Sequence, residues 1–318
     1  MIRQALCIFV YNHFWFLRRT REIRGRQARR QRRHRRGASN LRRRVAPPRA
    51  CIQDDEHAEV RGKRLRYAIF SDIHSNLEGL HAVLKEAERA GAADLLCCGD
   101  IIGYNANPNE CVDLVREKGV RCIRGNHERG LQDLEEGRTP NMNPIAMQAL
   151  LFTREHLTDS RKQWLMSLPD KLLIDQSFHL FHGSPGDPDD YVFDAFEAAY
   201  AFRSLTFEYL PPANLLCFIG HTHICAAYAF HPDRKKVGVR EVNNGDIYDI
   251  QPGAHYMFNV GSCGQYRGGL PVATLVIMDS DEMSVEFRFL EYDYHASQKK
   301  ILEAGLPPFL AHRLGMGQ

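Results

Sequence analysis

Carboxylates, imidazoles and one carboxamide recur in this chain in short clusters, each directly after an apolar run. "YAIFS" leads into "DIHSN", with Asp72 and His74, and "DLLCC" into "GD", with Asp100. "VRCI" leads into "RGNHE", with Asn126 and His127; "FHLF" into "HGSP", with His182; and "LLCFI" into "GHTH", with His221 and His223. Imidazole mixed with carboxylate suits Mn, Fe, Zn, Ni or Co, whereas Mg or Ca takes mostly oxygen. In an i, i+2 pair just past a strand both side chains can face one side. Asp72 and His74 could then grip one ion, while His221 and His223 could serve different ones. Asp100, alone on its loop, is suited to bridge. Two dications about 3.5–4 Å apart acidify a shared water, hold phosphoryl oxygens and stabilise an in-line displacement. Two aspartates and a bridging hydroxide would leave such a pair with roughly +1, a charge that favours a phosphate substrate. Each cluster also has a plain structural reading: Asp72 as a helix cap, Asn126 as a turn residue, His182 as an ordinary loop histidine. The repetition at five strand ends is what points to one site.

The elements between the clusters alternate. "YAIFS" (67–71), "DLLCC" and "VRCI" read as strands. Leu77 to Ala90, with Leu77, Leu80, Leu84 and Ala87 on one stripe, and Asn109 to Lys118 read as helices. Such alternation argues for an α/β sheet covered by helices, and open α/β sheets place ligands beyond the carboxyl ends of their strands. Residues 140–170 are expected to be helical and irregular, with a further helix near Asp194–Leu205. After His223 the pattern turns to β: "ICAAYAF", "YMFNV", and a hairpin through "VATLVIMDSDEMSVEFRFLEY" turning at Ser280–Glu282. One domain over 65–295 is expected, followed by a short helix and loose tail over 296–318.

The net charge of +3 conceals two opposite parts. Residues 1–66 hold 20 basic against 5 acidic residues, and the remainder 22 against 34. A block of like charge repels itself and has no apolar face, so residues 1–62 are expected to be disordered. Such an arm could neutralise phosphates on nucleic acid or an anionic membrane; the alternatives are a solvated tail, or an upstream stretch translated from a start assigned too early. "ALCIFVYNHFWFL" is too short for a membrane span, and its arginines follow the apolar stretch, the reverse of a signal peptide. The nine cysteines form no C-x-x-C pair. Their odd number and the apolar settings of Cys97, Cys98 and Cys217 suggest reduced thiols in a cytoplasmic protein.

Taken in order, D72-x-H74, G99-D100, G125-N126-H127-E128, H182-G183 and G220-H221-T222-H223 resemble the motifs of the calcineurin-like metallophosphoesterase superfamily over about residues 66–265. The resemblance implies a four-layer α/β/β/α sandwich and a two-metal phosphoric ester hydrolase, manganese being the foremost metal. It implies one ion on Asp72, His74, Asp100 and His223, and the other on Asp100, Asn126, His182 and His221. His127 would protonate the leaving oxygen or bind phosphate. "GDIIGYNANPNECV", "HGSPGDPDDYVF" and "NVGSCGQYRGG" look like the small bacterial and archaeal phosphodiesterase branch, which includes symmetrical diadenosine tetraphosphate hydrolases. That branch favours a form closer to G-Y-G-P-x-P where this chain has Gly103-Tyr104-Asn105-Ala106-Asn107-Pro108, and the loop would line the substrate mouth.

"RGNHE" is also similar to Ser/Thr protein phosphatases, in which an arginine at the place of Arg124 binds phosphate. Gly99-Asp100 is followed here by Ile-Ile-Gly-Tyr, not by the V-D-R-G of those enzymes. Arg267, in "SCGQYRGG", is the other candidate phosphate clamp, since guanidinium matches phosphate with paired hydrogen bonds; a surface arginine in a glycine-rich loop is the competing reading. Tyr104 and Tyr191 could stack a base or line the mouth, against the plainer reading of both as packing residues. The expected substrate is a small phosphorylated compound, nucleotides included; the sequence is compatible with homo-oligomers, and the presence of all seven ligand residues argues against the alternative of a non-catalytic scaffold.

Overall fold

Residues 65–208 and 215–318 are described in the computed structural model. The Arg-rich residues 1–62 lie outside them. Alternation along two strands sets the layering. In β1 (Arg66–Phe70), Tyr67 and Ile69 pack with Leu96, Phe178, Phe218 and Phe258, while Ala68 and Phe70 pack with Leu80, Val83 and Val112. In β6 (Leu216–Ile219), Leu216 and Phe218 join the first of these clusters, whereas Cys217 and Ile219 join a third with Phe202 and Leu205. Successive strand side chains point to opposite faces. Two strands that share an inner cluster and differ in the outer one therefore belong to two sheets packed face to face. Full burial of a Val, Leu, Ile or Phe side chain contributes about 1.5–3 kcal/mol.

The first sheet runs β3 (Arg121–Cys122), β2 (Asp94–Cys97), β1, β11 (Val272–Asp279), β12 (Ser284–Glu291), β9 (Ile247–Asp249). The second runs β4 (Leu172–Ile174), β5 (Phe178–Leu180), β6, β10 (His255–Val260), β7 (Cys225–His231), β8 (Lys236–Glu241). β1, β2 and β3 are parallel, as are β5, β6 and β10, so each sheet gathers several carboxyl ends along one edge. Helices α1 (Leu77–Arg89) and α2 (Pro108–Glu117) cover the outer face of the first sheet. α6 (Ala195–Glu208) covers that of the second. The fold is the expected α/β/β/α sandwich in a single domain.

Along the chain, α3 (Asn126–Glu135), α4 (Pro144–His156) and α5 (Asp159–Met166) come between β3 and β4. Asn76, and not Asp72, caps α1: its side chain accepts from the Gly79 N–H at 3.0 Å. The short helix expected near the end is α7 (Tyr294–Glu303), and in place of the expected loose tail the chain forms a second helix, α8 (Pro308–Met316). Ile301, Leu310 and Leu314 are buried in a cluster with Tyr104 and Ala146, and that apolar contact is what orders the segment. Among the described residues, no helix is long and apolar enough to cross a membrane. The seven described cysteines are buried and none is disulfide-bonded.

Candidate metal centre

The loops after β1 and β2 are joined by their backbones. Asp72 N–H donates to Gly99 O at 3.0 Å, His74 to Asp100 O at 2.9 Å and Ser75 to Ile101 O at 2.9 Å. Glu128, in the first turn of α3, ties the second loop to that helix. Its buried carboxylate accepts from the N–H groups of Asp100, Ile101, Ile102 and Gly125 at 2.9, 2.9, 3.2 and 2.8 Å. The second sheet approaches through Gly220, where a methyl group would lie 2.0 Å from Ser71 Oγ and 2.4 Å from Asp72 Oδ2. The next residue, His221, donates its N–H to Asp72 Oδ2 at 3.0 Å. From β10, Asn259 donates to Gly220 O at 2.7 Å and Thr222 Oγ1 at 2.9 Å, bracing the same loop.

Five of the gathered residues hold left-handed backbone: Asp72, His74, Asp100, His221 and His223, with φ of 54°, 47°, 55°, 67° and 60°. Such conformations cost about 1–3 kcal/mol each and persist only where surrounding structure over-determines them. Here the joined loops do so, and the strain aims the side chains at one point.

The ring nitrogens show what that point must hold. His74 Nδ1 lies 3.0 Å from Ile102 O, His182 Nδ1 2.8 Å from Cys98 O, and His223 Nδ1 2.8 Å from Gln265 O. A carbonyl only accepts, so each Nδ1 carries a hydrogen, and the Nε2 of a neutral ring presents a lone pair. His74 Nε2 and His223 Nε2 nonetheless face each other at 3.0 Å. Asp72 Oδ1, 3.2 Å from His223 Nε2, is buried with no hydrogen-bond partner. In the second group, His182 Nε2 lies 3.0 Å from Asn126 Oδ1 and 3.4 Å from Asp100 Oδ2. The same Asp100 oxygen is 3.6 Å from His74 Nε2, while Asp100 Oδ1 is occupied by the His127 N–H at 2.9 Å. One carboxylate oxygen thus faces both groups. His221 bonds Asp189 O through Nε2 at 3.1 Å, which leaves Nδ1 for the cluster.

The electrostatics agree with a place for cations. Burial opposes ionisation of Asp72, yet His223 and His74 hold its carboxyl well below the usual range. Asp100 behaves likewise, against burial and under the influence of His182, His127 and His74. Burial pushes the His223 imidazole down, aided by the Arg267 charge. Burial also lowers His182, but Asp100 and Asp72 outweigh it and carry the ring up to about 9. An imidazole that draws a proton at such depth occupies a spot that asks for positive charge. Asp72, His74 and His223 form one potential triad, Asp100, His182 and His221 another, and His74, Asp100 and His127 a third between them. The donor set fits two divalent ions of the transition series.

Of the other residues singled out by sequence, His127 is buried, with its ring 4.6 Å from His74 and its Nδ1 unpartnered. Tyr104 covers the cluster, 4.5 Å from the His74 ring and 4.8 Å from His127. Tyr191 stacks on His221 at 4.0 Å and is 46% exposed, so it stands at the mouth. Arg267 lies over Tyr104, its guanidinium carbon 5.8 Å from the ring centre. Asn105 departs from the expected mouth-lining position. It is 2% exposed, and its side-chain amide donates to His74 O at 2.8 Å, so it braces a cluster residue. Arg124 departs as well: Asp170 accepts from its Nε and Nη2 at 2.6 and 3.0 Å, and Gln132 from its Nη1 at 2.6 Å. Two residues were not singled out by the sequence reading. Glu128 had a detectable signal, an acid three residues after a helix-starting Gly125. Arg313, on α8, had none.

A family model described as "Calcineurin-like phosphoesterase superfamily domain" matches residues 65–283. An uncharacterized protein of Methanocaldococcus jannaschii, MJ0912, is 32% identical over 263 residues, which cover 79% of this chain and 98% of that protein. The crystal structure of a metallophosphoesterase from Sphaerobacter thermophilus is 35% identical with a TM-score of 0.69, covering 80% of this chain and 100% of that one. The hypothetical protein PH1004 of Pyrococcus horikoshii, at 17% identity and a TM-score of 0.62, shares the fold over 80% of this chain and 99% of its own.

Proposed function

This chain belongs to the calcineurin-like phosphoesterase superfamily and is a metal-dependent hydrolase, and from that premise we propose that it cleaves phosphodiester, phosphomonoester or dinucleoside polyphosphate bonds at the joined strand ends. The observation that carries the reading is the convergence of lone pairs on two adjoining points that share Asp100 Oδ2. Asp72, His74, Asp100 and His223 would hold one ion. Asp100, Asn126, His182 and His221 would hold the other. When bound, two such ions, with manganese the metal we expect, polarise phosphoryl oxygens and acidify water.

The chain's own groups supply the rest. Ile102, Cys98 and Gln265 carbonyls fix the tautomers of His74, His182 and His223, so no ring reorients when substrate arrives. Burial pushes His127 down to about 3, so before substrate binds its ring is neutral and able to donate one hydrogen bond to a phosphoryl oxygen. A phosphate anion at that distance raises the imidazole pKa, and the same ring can then pass a proton to the departing oxygen. Arg267 adds positive charge beside the cluster. Tyr104 shields it from solvent at 6% exposure.

A protein-phosphatase reading needs Arg124 as a clamp, and the paired hydrogen bonds to Asp170 speak against that role. The test is turnover of bis-p-nitrophenyl phosphate. Metal-free protein is expected to be inert and to gain activity with Mn²⁺. Inactivity with Mn, Ni, Co and Fe alike would overturn the reading.

A further inference from the structure

The last helix brings a second arginine to the tyrosine that covers the metal centre. Arg267 and Arg313 place their guanidinium carbons 5.8 and 6.0 Å from the Tyr104 ring centre. Arg267 donates from Nη2 to Gln265 Oε1 at 3.0 Å, while its Nε is buried without a partner. Arg313 donates from Nε to Gln318 O at 2.8 Å. Among the described residues, no Asp or Glu side chain is hydrogen-bonded to either guanidinium, and the oxygen that Arg313 engages is on Gln318, the last residue of the sequence.

Their positions are set by the fold. Gly269 N–H, in the loop that carries Arg267, donates to Gly317 O at 2.9 Å, just past the end of α8. Gly317 has a φ of 62°, and a methyl group there would lie 2.2 Å from Leu270 N. Loop and helix end are therefore pressed together, with one arginine on each.

Two half-buried guanidinium groups facing one ring make a positive patch that an anion can join. Burial and the neighbouring Arg267 charge both disfavour the Arg313 cation, which nonetheless stays charged. The cluster is one aromatic ring away and would engage only the phosphoryl group under attack.

We propose that Arg267 and Arg313 form a second anion subsite that takes the phosphate adjoining the scissile one, which selects substrates with two linked phosphates. This rests on the phosphoesterase reading above. Charge-assisted hydrogen bonds contribute about 1.5–3 kcal/mol, so loss of one arginine costs on the order of ten- to a hundredfold in affinity for a second phosphate.

The test compares AMP and ADP binding to the manganese-loaded protein by calorimetry, with manganese in excess and ionic strength fixed. Wild type is expected to bind ADP at least about tenfold tighter than AMP, Arg313→Gln to bring the two within about twofold, and Arg313→Lys to keep part of the difference. Equal affinities in wild type, or a variant that weakens both ligands alike, would overturn the subsite. Should Arg313→Gln lose its fold by circular dichroism, the wild-type ratio and Arg313→Lys decide. Hydrolysis of bis-p-nitrophenyl phosphate by wild type separates the two failures: activity without ADP preference sinks only the subsite, and no activity sinks the phosphoesterase reading.

Discussion

His74 and His223 point their Nε2 atoms at each other across 3.0 Å, each ring having its other nitrogen on a backbone carbonyl. Two lone pairs at that distance repel unless a cation lies between them. Chelation is therefore expected to loosen the fold as well as abolish turnover. Manganese at a hundred times its dissociation constant stabilises by about 2.7 kcal/mol, or about 5–10 °C for a domain of this size. Differential scanning calorimetry with and without EDTA checks it, and an unchanged melting temperature would contradict the cage.

Asp100 presents one oxygen to His74 at 3.6 Å and to His182 at 3.4 Å. Asp100→Ala is expected to lose both ions and all activity, whereas a carboxylate serving one ion would leave half the metal. Metal content after gel filtration, read by plasma mass spectrometry, distinguishes the outcomes.

His127 has its Nδ1 free and no carbonyl to fix it. His127→Ala is expected to retain both ions and lose about 10²–10⁴-fold in kcat, the range for a lost general acid. Coincident loss of metal would instead make it a ligand.

In metal-free protein His182 titrates at about 9, above its ordinary 6.5. A raised imidazole pKa contributes stability that is complete below about 6.5 and lost as pH climbs through 9. Metal needs the neutral ring, so the sign for binding is opposite. Manganese affinity should rise between pH 6.5 and 9, with proton release detectable by titration in buffers of different ionisation enthalpy. A flat profile would refute this assignment.

Glu128 accepts four backbone N–H groups. Glu128→Gln turns one acceptor oxygen into a donor facing donors, and each buried group left unsatisfied costs about 1–3 kcal/mol. Urea denaturation should show that loss, together with weaker metal binding.

The site was legible because its residues sit at the ends of apolar runs, a pattern visible without contacts. What the sequence did not reveal depends on contacts. Lys236–Glu241 is mostly exposed, so no alternation marks β8. Asn105 lies in a loop whose inward or outward facing only the fold decides. Arg313 follows Pro307, Pro308 and a short apolar stretch, which reads as a tail until Leu310 and Leu314 are seen packed with Tyr104. Arg124 is adjacent to the right motif, yet Asp170, far along the chain, claims its guanidinium.

The hydrogen bond from His221 N–H to Asp72 Oδ2 spans the seam between the sheets. A cage built half from each layer turns ion affinity into a gauge of how well those layers are docked. Trimming Phe258 or Phe287, deep in the interior they share, would then register as altered metal uptake although neither residue is one of the candidate ligands. Thermal drift of the sandwich would be felt first in its chemistry.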